Sequence, residues 1–234
     1  MGGLPWRKFT ERVIVSAVTT PLQIDFISDT VCPWCYIGRR RLARALEAVP
    51  QITIRVTWRT FLLNPEMPQG GMDRQAYLQR KFGGADRARE IYRQVEAVGR
   101  SDGIPFDFDA VDRMPDSRRS HRLIRWAAIR GCEDNLIERM FRAFFIEGLD
   151  IGDAGVLAAL AEDCGLDGSD ARNLLDSRAG LEAVEAEDRE VKQAGIQSVP
   201  CFSIDGRYVV SGAQPPEAFL PLLDLVETAR AAAD

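Results

Sequence analysis

The stretch Pro21-Leu-Gln-Ile-Asp-Phe-Ile27, followed by Ser28-Asp29-Thr30-Val31 and then by Cys32-Pro33-Trp34-Cys35, decides how this chain is read. Its first seven residues are apolar-rich, with β-branched and aromatic side chains, and a polar turn ends them, which is the pattern of a strand. Pro33 falls where the first residue of a helix would stand, a position at which its missing N–H costs nothing. Leu42, Leu46 and Val49 recur at helical spacing until Pro50 stops the helix. Ile52-Thr-Ile-Arg-Val-Thr-Trp58 then alternates with the period of two of a strand. Strand, cysteine loop, helix and strand make a βαβ unit whose crossover suits parallel strands connected right-handedly.

Downstream, Gly and Pro punctuate a series of amphipathic segments. Helices are expected over Asp73–Phe82, Ala85–Arg100, Ser117–Arg130, Glu133–Ile146, Asp153–Cys164, Ser169–Leu175 and Arg178–Ala194. Sheet character returns with Cys201-Phe-Ser-Ile204 and Tyr208-Val-Val210, joined by Asp205-Gly206, a strong hairpin signal. Pro215 and Pro216 open a last helix through Phe219, Leu222, Leu223 and Val226. The expected organisation is α/β in three parts: an N-terminal arm over 1–20, a discontinuous sheet-bearing domain over 21–63 and 195–234, and an all-helical insertion over 64–194.

The bulk numbers fit this plan. With 234 residues, 46% hydrophobic and 28% charged, the chain can build one compact fold with a sizeable insertion. A net charge of −5 argues against a nucleic-acid partner, and the basic stretch Arg118–Arg130 is interleaved with apolar residues, so it reads as a solvated helix face. The run Val13–Val18 is shorter than the roughly 7–15 residues of a signal-peptide core, and no later run approaches the roughly 20 needed to span a bilayer. No membrane partner is expected, and a cytoplasmic location is.

Of the five cysteines only Cys32 and Cys35 are close in sequence, and in a reducing compartment such a pair is catalytic or metal-binding more often than structural. The thiolate is the nucleophile of disulfide exchange, and the unpaired N–H groups at a helix N-terminus favour an anion where Cys32 stands. Cys35, one turn on, is within reach to resolve a mixed disulfide formed by Cys32. The alternatives are a metal site and an inert pair of buried thiols. A zinc site needs four ligands, and Cys132, Cys164, Cys201 and His121 supply no second pair at a recognisable spacing, so no metal is expected. Cys201 reads as a small buried hydrophobe, Cys132 and Cys164 as core residues, and His121 as a partly exposed helix residue that exchange chemistry does not require.

On Ser28-Asp29, Cys32-Pro-Trp-Cys-Tyr-Ile-Gly38 and Val199-Pro200 with its hairpin, the chain resembles the DsbA family of thioredoxin-fold oxidoreductases over about Leu22 to Ala229. The likeness is closest to the FrnE-like branch, whose relatives include 2-hydroxychromene-2-carboxylate isomerases and kappa-class glutathione transferases. It implies a thioredoxin-like fold carrying a large helical insertion, with Pro200 in a cis peptide bond opposite the cysteines. The backbone of Val199 would then lie beside Cys32, to pair with an extended peptide or glutathione. Pro33 and Trp34 would tune the thiols; with no His between them, the thiol pKa near 3.5 known for DsbA itself is not expected. Cys201 departs from the bulky apolar residue expected after the proline.

The implied activity is that of a thiol-disulfide oxidoreductase or isomerase, acting on a protein or small-molecule thiol or disulfide and needing no cofactor. Glutathione is compatible as a co-substrate, and a homodimer is compatible with the sequence. Two other readings share the scaffold: a glutathione-dependent isomerase or transferase, and a non-catalytic module binding a peptide or small molecule beside Pro200. Relatives of the isomerase type place Ser where Cys32 stands, so retention of both cysteines favours exchange.

Overall fold

The computed structural model describes residues 20–231. The run Val13–Val18, and all of the expected arm except Thr20, lie outside the described residues. In chain order the elements are β1 (Leu22–Ser28), α1 (Pro33–Glu47), β2 (Ile54–Thr60), β3 (Met72–Asp73), α2 (Arg74–Phe82), α3 (Ala85–Ser101) and β4 (Arg113–Met114). There follow α4 (Arg118–Ala128), α5 (Glu133–Phe145), α6 (Ala154–Asp163), α7 (Gly168–Asp176), α8 (Leu181–Gln193), β5 (Cys201–Ile204), β6 (Tyr208–Ser211) and α9 (Leu220–Ala231). The fold is thioredoxin-like and α/β, with a mainly helical stretch between β2 and β5.

The main sheet has the order β2-β1-β5-β6. β1 runs parallel to β2, from Leu22 opposite Ile54 to Ser28 opposite Thr60, and antiparallel to β5. β2 therefore starts two residues later than its alternation suggests. The amide of Ile52 closes the turn after α1 on Val49 O at 3.1 Å, and the Leu22 amide bonds Thr53 O at 2.9 Å before strand pairing begins. The last helix is likewise delayed: Pro216–Ala218 forms a 3-10 turn, and α9 begins at Leu220. β3 and β4 form a two-residue antiparallel pair that the sequence reading did not foresee, since two residues carry no period.

Close approach of α1 to the sheet depends on Gly38. A Cβ there would stand 2.9 Å from Pro200 Cγ and 3.2 Å from Phe202 Cζ, inside ordinary carbon contact distance. Beneath it Phe26 stacks on Phe202 with centroids 4.8 Å apart, and Phe219, directly after the 3-10 turn, meets Phe202 edge-on at 5.0 Å. The edge of β2 is closed by α8: Glu187 accepts the Thr60 amide at 3.0 Å and Asp188 the Leu62 amide at 2.7 Å. Unpaired edge N–H groups invite non-native pairing, and two acids satisfy these instead.

α4 corrects two expectations. It is not simply a solvated basic face, because Arg122 is buried and its guanidinium donates to the Ala179, Leu174 and Ser177 carbonyls near the end of α7. His121 is not partly exposed but fully enclosed, for the reason given below.

Candidate active site

The end of β1 and the start of α1 bring the two cysteines to one edge of the sheet. Cys32 is the residue before the helix, with extended backbone angles (φ −98°, ψ 112°), and Pro33 follows as the first helical residue. The Cys32 carbonyl accepts the Cys35 amide at 3.0 Å, and the Cys32 amide bonds back to Asp29 O at 3.1 Å. Cys32 thus stands at the N-cap position of α1, where the first turn of a helix leaves backbone N–H groups unpaired, although its side chain caps none of them.

The two thiols differ in surroundings. Cys32 is nearly covered, at 4% exposure, but its neighbour Trp34 is exposed and Pro33 half-buried, so its sulfur sits directly under the surface. Cys35 has no exposure at all. Burial pushes the Cys35 thiol well above its ordinary pKa, and its hydrogen bond to the Cys32 sulfur pushes in the same direction. The Ser28 hydroxyl, buried and with no full hydrogen-bond partner of its own, and the Asp29 amide lie toward the Cys35 sulfur and act the other way. Both thiols are free in this structure.

Opposite the pair is the Val199–Pro200 loop, whose peptide bond is cis. The Cys32 thiol reaches Val199 O at 3.8 Å, while Val199 is half-buried and Pro200 buried against α1. All six residues singled out from sequence, Cys32, Pro33, Trp34, Cys35, Val199 and Pro200, therefore meet in one place.

Behind the cysteines lies a polar layer that the sequence reading did not assemble. Asp29 and His121 are both fully buried, with Asp29 Oδ1 3.2 Å from His121 Nε2. Trp58 of β2 donates its indole N–H to His121 Nδ1 at 3.3 Å. Thr30 and Ser120 share a hydrogen bond of 2.7 Å beside them. These contacts pull the polar side of α4 inward. Asp29 is visible in the motif, but nothing local in the sequence links it to a histidine 92 positions away.

The remaining thiols divide. Cys201 is buried in a small cluster with Ile27, Phe61 and Val191, as a small hydrophobe would be. Cys132 and Cys164, expected in the core, are only half-buried because they flank helices, Cys132 before α5 and Cys164 after α6. Among the described residues no group of three or more His, Cys, Asp or Glu side chains is placed to hold a metal ion. Nor is any of the described helices long and apolar enough to cross a membrane.

Comparison with known proteins agrees with this fold. The chain is 28% identical over 201 residues to the uncharacterized protein YwbO of Bacillus subtilis (strain 168), covering 85% of this chain and 94% of that one. A probable DsbA oxidoreductase from Streptomyces coelicolor, SCO1869, is 31% identical and superposes with a TM-score of 0.79, over 86% of this chain and 88% of the other. The cytosolic disulfide reductase DsbM of Pseudomonas aeruginosa, solved with GSH, shares the fold at 21% identity and a TM-score of 0.60, over 89% and 98% of the two chains. The sequence profile described as "DSBA-like thioredoxin domain" matches residues 23–224, and by that extent the chain belongs to the family of DSBA-like thioredoxin-domain proteins.

Proposed function

We propose that this protein is a thiol-disulfide oxidoreductase in which Cys32 attacks and Cys35 resolves. The observation that carries the reading is the asymmetry of the pair. Cys32 lies at a helix N-terminus under the surface, whereas Cys35 is sealed one turn deeper with its thiol pKa raised by burial. In the reducing direction the Cys32 thiolate attacks a substrate disulfide, forming one S–S bond and expelling the other substrate sulfur as a thiolate. Cys35, deprotonated as it reacts, then attacks Cys32 Sγ. The Cys32–Cys35 disulfide forms, the second substrate thiol leaves, and two electrons have passed from the protein to the substrate. Oxidation of a substrate dithiol is the same sequence reversed. Neither direction requires a cofactor.

Val199 and Pro200 serve as the substrate wall, with the Val199 carbonyl available to an extended peptide backbone. Pro33 and Trp34 complete the surface over Cys32, and the exposed Trp34 ring offers an apolar contact. Glutathione fits the reading as co-substrate, supported by its presence in the DsbM structure, and that protein's cytosolic setting supports a cytoplasmic site of action here.

The test is trapping. C35S should accumulate a mixed disulfide through Cys32 when offered a disulfide substrate, C32S should form none, and the parent should titrate as a two-electron couple in glutathione buffers. If the parent forms no Cys32–Cys35 disulfide, or C35S keeps full activity toward a glutathione-dependent isomerisation, resolving chemistry is excluded.

A further inference from the structure

The buried Asp29–His121 contact is not needed to describe the exchange, yet its geometry is specific. An indole N–H can only donate, so the bond from Trp58 makes His121 Nδ1 an acceptor and leaves the ring proton on Nε2, aimed at Asp29. A second proton on the ring would confront the Trp58 N–H. The Asp29 carboxyl group meets two further donors, the Val31 amide at 3.4 Å on Oδ1 and the Leu63 amide at 2.8 Å on Oδ2. Three donors and no acceptor suit the lone pairs of a carboxylate, and a buried charge is tolerated when it is hydrogen-bonded in this way.

The same residue is wired to both cysteines through its backbone. Its carbonyl holds the Cys32 amide at 3.1 Å, and its amide lies toward the Cys35 sulfur. Other ionisable groups come close: Tyr77 of α2 feels the charges of both Asp29 and Cys32, and Glu187 of α8 bonds the Thr60 amide across from Ser28. Glu187 is itself paired with Arg59 and Arg125, whereas Asp29 is met by a neutral imidazole and two amides.

We propose that Asp29 and His121 are a positioning pair for the redox centre, fixing the turn that carries Cys32 and placing a hydrogen-bonded carboxylate behind the two sulfurs. The inference rests on the exchange reading above. Reducing the Cys32–Cys35 disulfide takes up two electrons and two protons, and one proton is given up again wherever a thiolate forms. A fixed carboxylate in a medium of low dielectric opposes that negative sulfur and leaves the neutral disulfide unaffected. The couple is thereby biased toward giving up electrons. His121 moderates the bias by donating to the carboxylate and ties it to the insertion.

The experiment is the exchange equilibrium of the full-length protein in glutathione buffers, read by tryptophan fluorescence, for the parent, D29N, H121Q and H121L. D29N removes the charge and should move the equilibrium at least tenfold toward the dithiol, about 30 mV for a two-electron couple. H121L keeps the charge with one donor fewer and should move it severalfold the other way. H121Q retains an N–H for Asp29 and should stay within twofold of the parent. A loss of structure would not give opposite signs. The proposal is overturned if D29N lies within twofold of the parent, if D29N and H121L shift in the same direction, or if H121Q moves as far as H121L. Should D29N fail to fold, the contrast between H121L and H121Q decides alone. A parent with no titratable couple refutes the exchange reading itself, a result distinct from a working couple that D29N leaves unmoved.

Discussion

Replacing Gly38 by Ala sets two known effects against each other at the point where α1 meets the Val199–Pro200 loop. Gly38 is interior to α1, where Ala is favoured over Gly by about 1 kcal/mol of helix propensity. The added methyl group would stand 2.9 Å from Pro200 Cγ and 3.2 Å from both Phe202 Cζ and Pro200 Cβ. None of these is a flexible chain end: Pro200 is a ring in a buried loop, and Phe202 is locked between Phe26 and Phe219. Overpacking of such a site costs about 1–3 kcal/mol. The clash outweighs propensity, and we expect a net loss of up to about 2 kcal/mol. Relief comes by moving α1 away from Pro200, which also lengthens the 3.8 Å approach of Cys32 Sγ to Val199 O, so exchange rates should fall along with stability. Urea unfolding should show a lower midpoint with an unchanged slope. A G38A protein at least as stable as the parent, with unaltered exchange kinetics, would refute this account of how α1 is seated.

Three further outcomes are expected. Glu138 accepts bonds from Tyr36 Oη, Arg39 and Arg40 at 2.7–2.8 Å with little exposure, so E138Q, which weakens charge-assisted hydrogen bonds at that point, should lose on the order of 2 kcal/mol in urea unfolding. Burial, with the Asp163 charge beside it, pushes the Cys164 thiol up to about 11 from a normal 9.0. A thiol raised by folding contributes stability that is present below its unfolded pKa and lost as pH rises through the folded one, so stability should decline between pH 9 and about 11, and C164A should show less of that decline. For the same reason iodoacetamide at pH 8 should modify Cys164 slowly, which a mass-spectrometric time course with C164A as control would check.

The βαβ start of the chain was legible because each signal in it is local: the apolar run of β1, the proline that opens α1, the alternation of β2. Most insertion helices were legible too, since Gly punctuation and helical spacing mark their ends; α8 begins at Leu181, directly after Gly180 in its left-handed conformation (φ 77°). What failed was whatever depends on a distant partner. Amphipathic reasoning assigns the polar side of α4 to solvent, and it had no means of knowing that Ser120 would meet Thr30, or His121 would meet Asp29. The cysteine pair and the Val199-Pro200 loop were readable as motifs. The polar layer beneath them exists only once α4 is docked.

That difference bears on what the insertion does. Four arginines of α1 are met from outside the sheet: Arg39 and Arg40 by Glu138 of α5, Arg39 also by Asp134, and Arg41 and Arg44 by the buried Asp102 at the end of α3. Tyr36, next to Cys35, stacks on Phe141 at 4.9 Å and donates to the same Glu138. On its other side α1 packs through Gly38 against the loop that faces Cys32. A helix held from two directions keeps its N-terminus, and Cys32 with it, at a fixed distance from Val199 O. The stretch between β2 and β5 therefore reaches the cysteine pair along two routes, through the salt bridges on α1 and through His121 behind Asp29. On the exchange reading proposed above, substitutions on α4 or α5, remote from the cysteines in sequence, should alter the couple as the two residues between the thiols do.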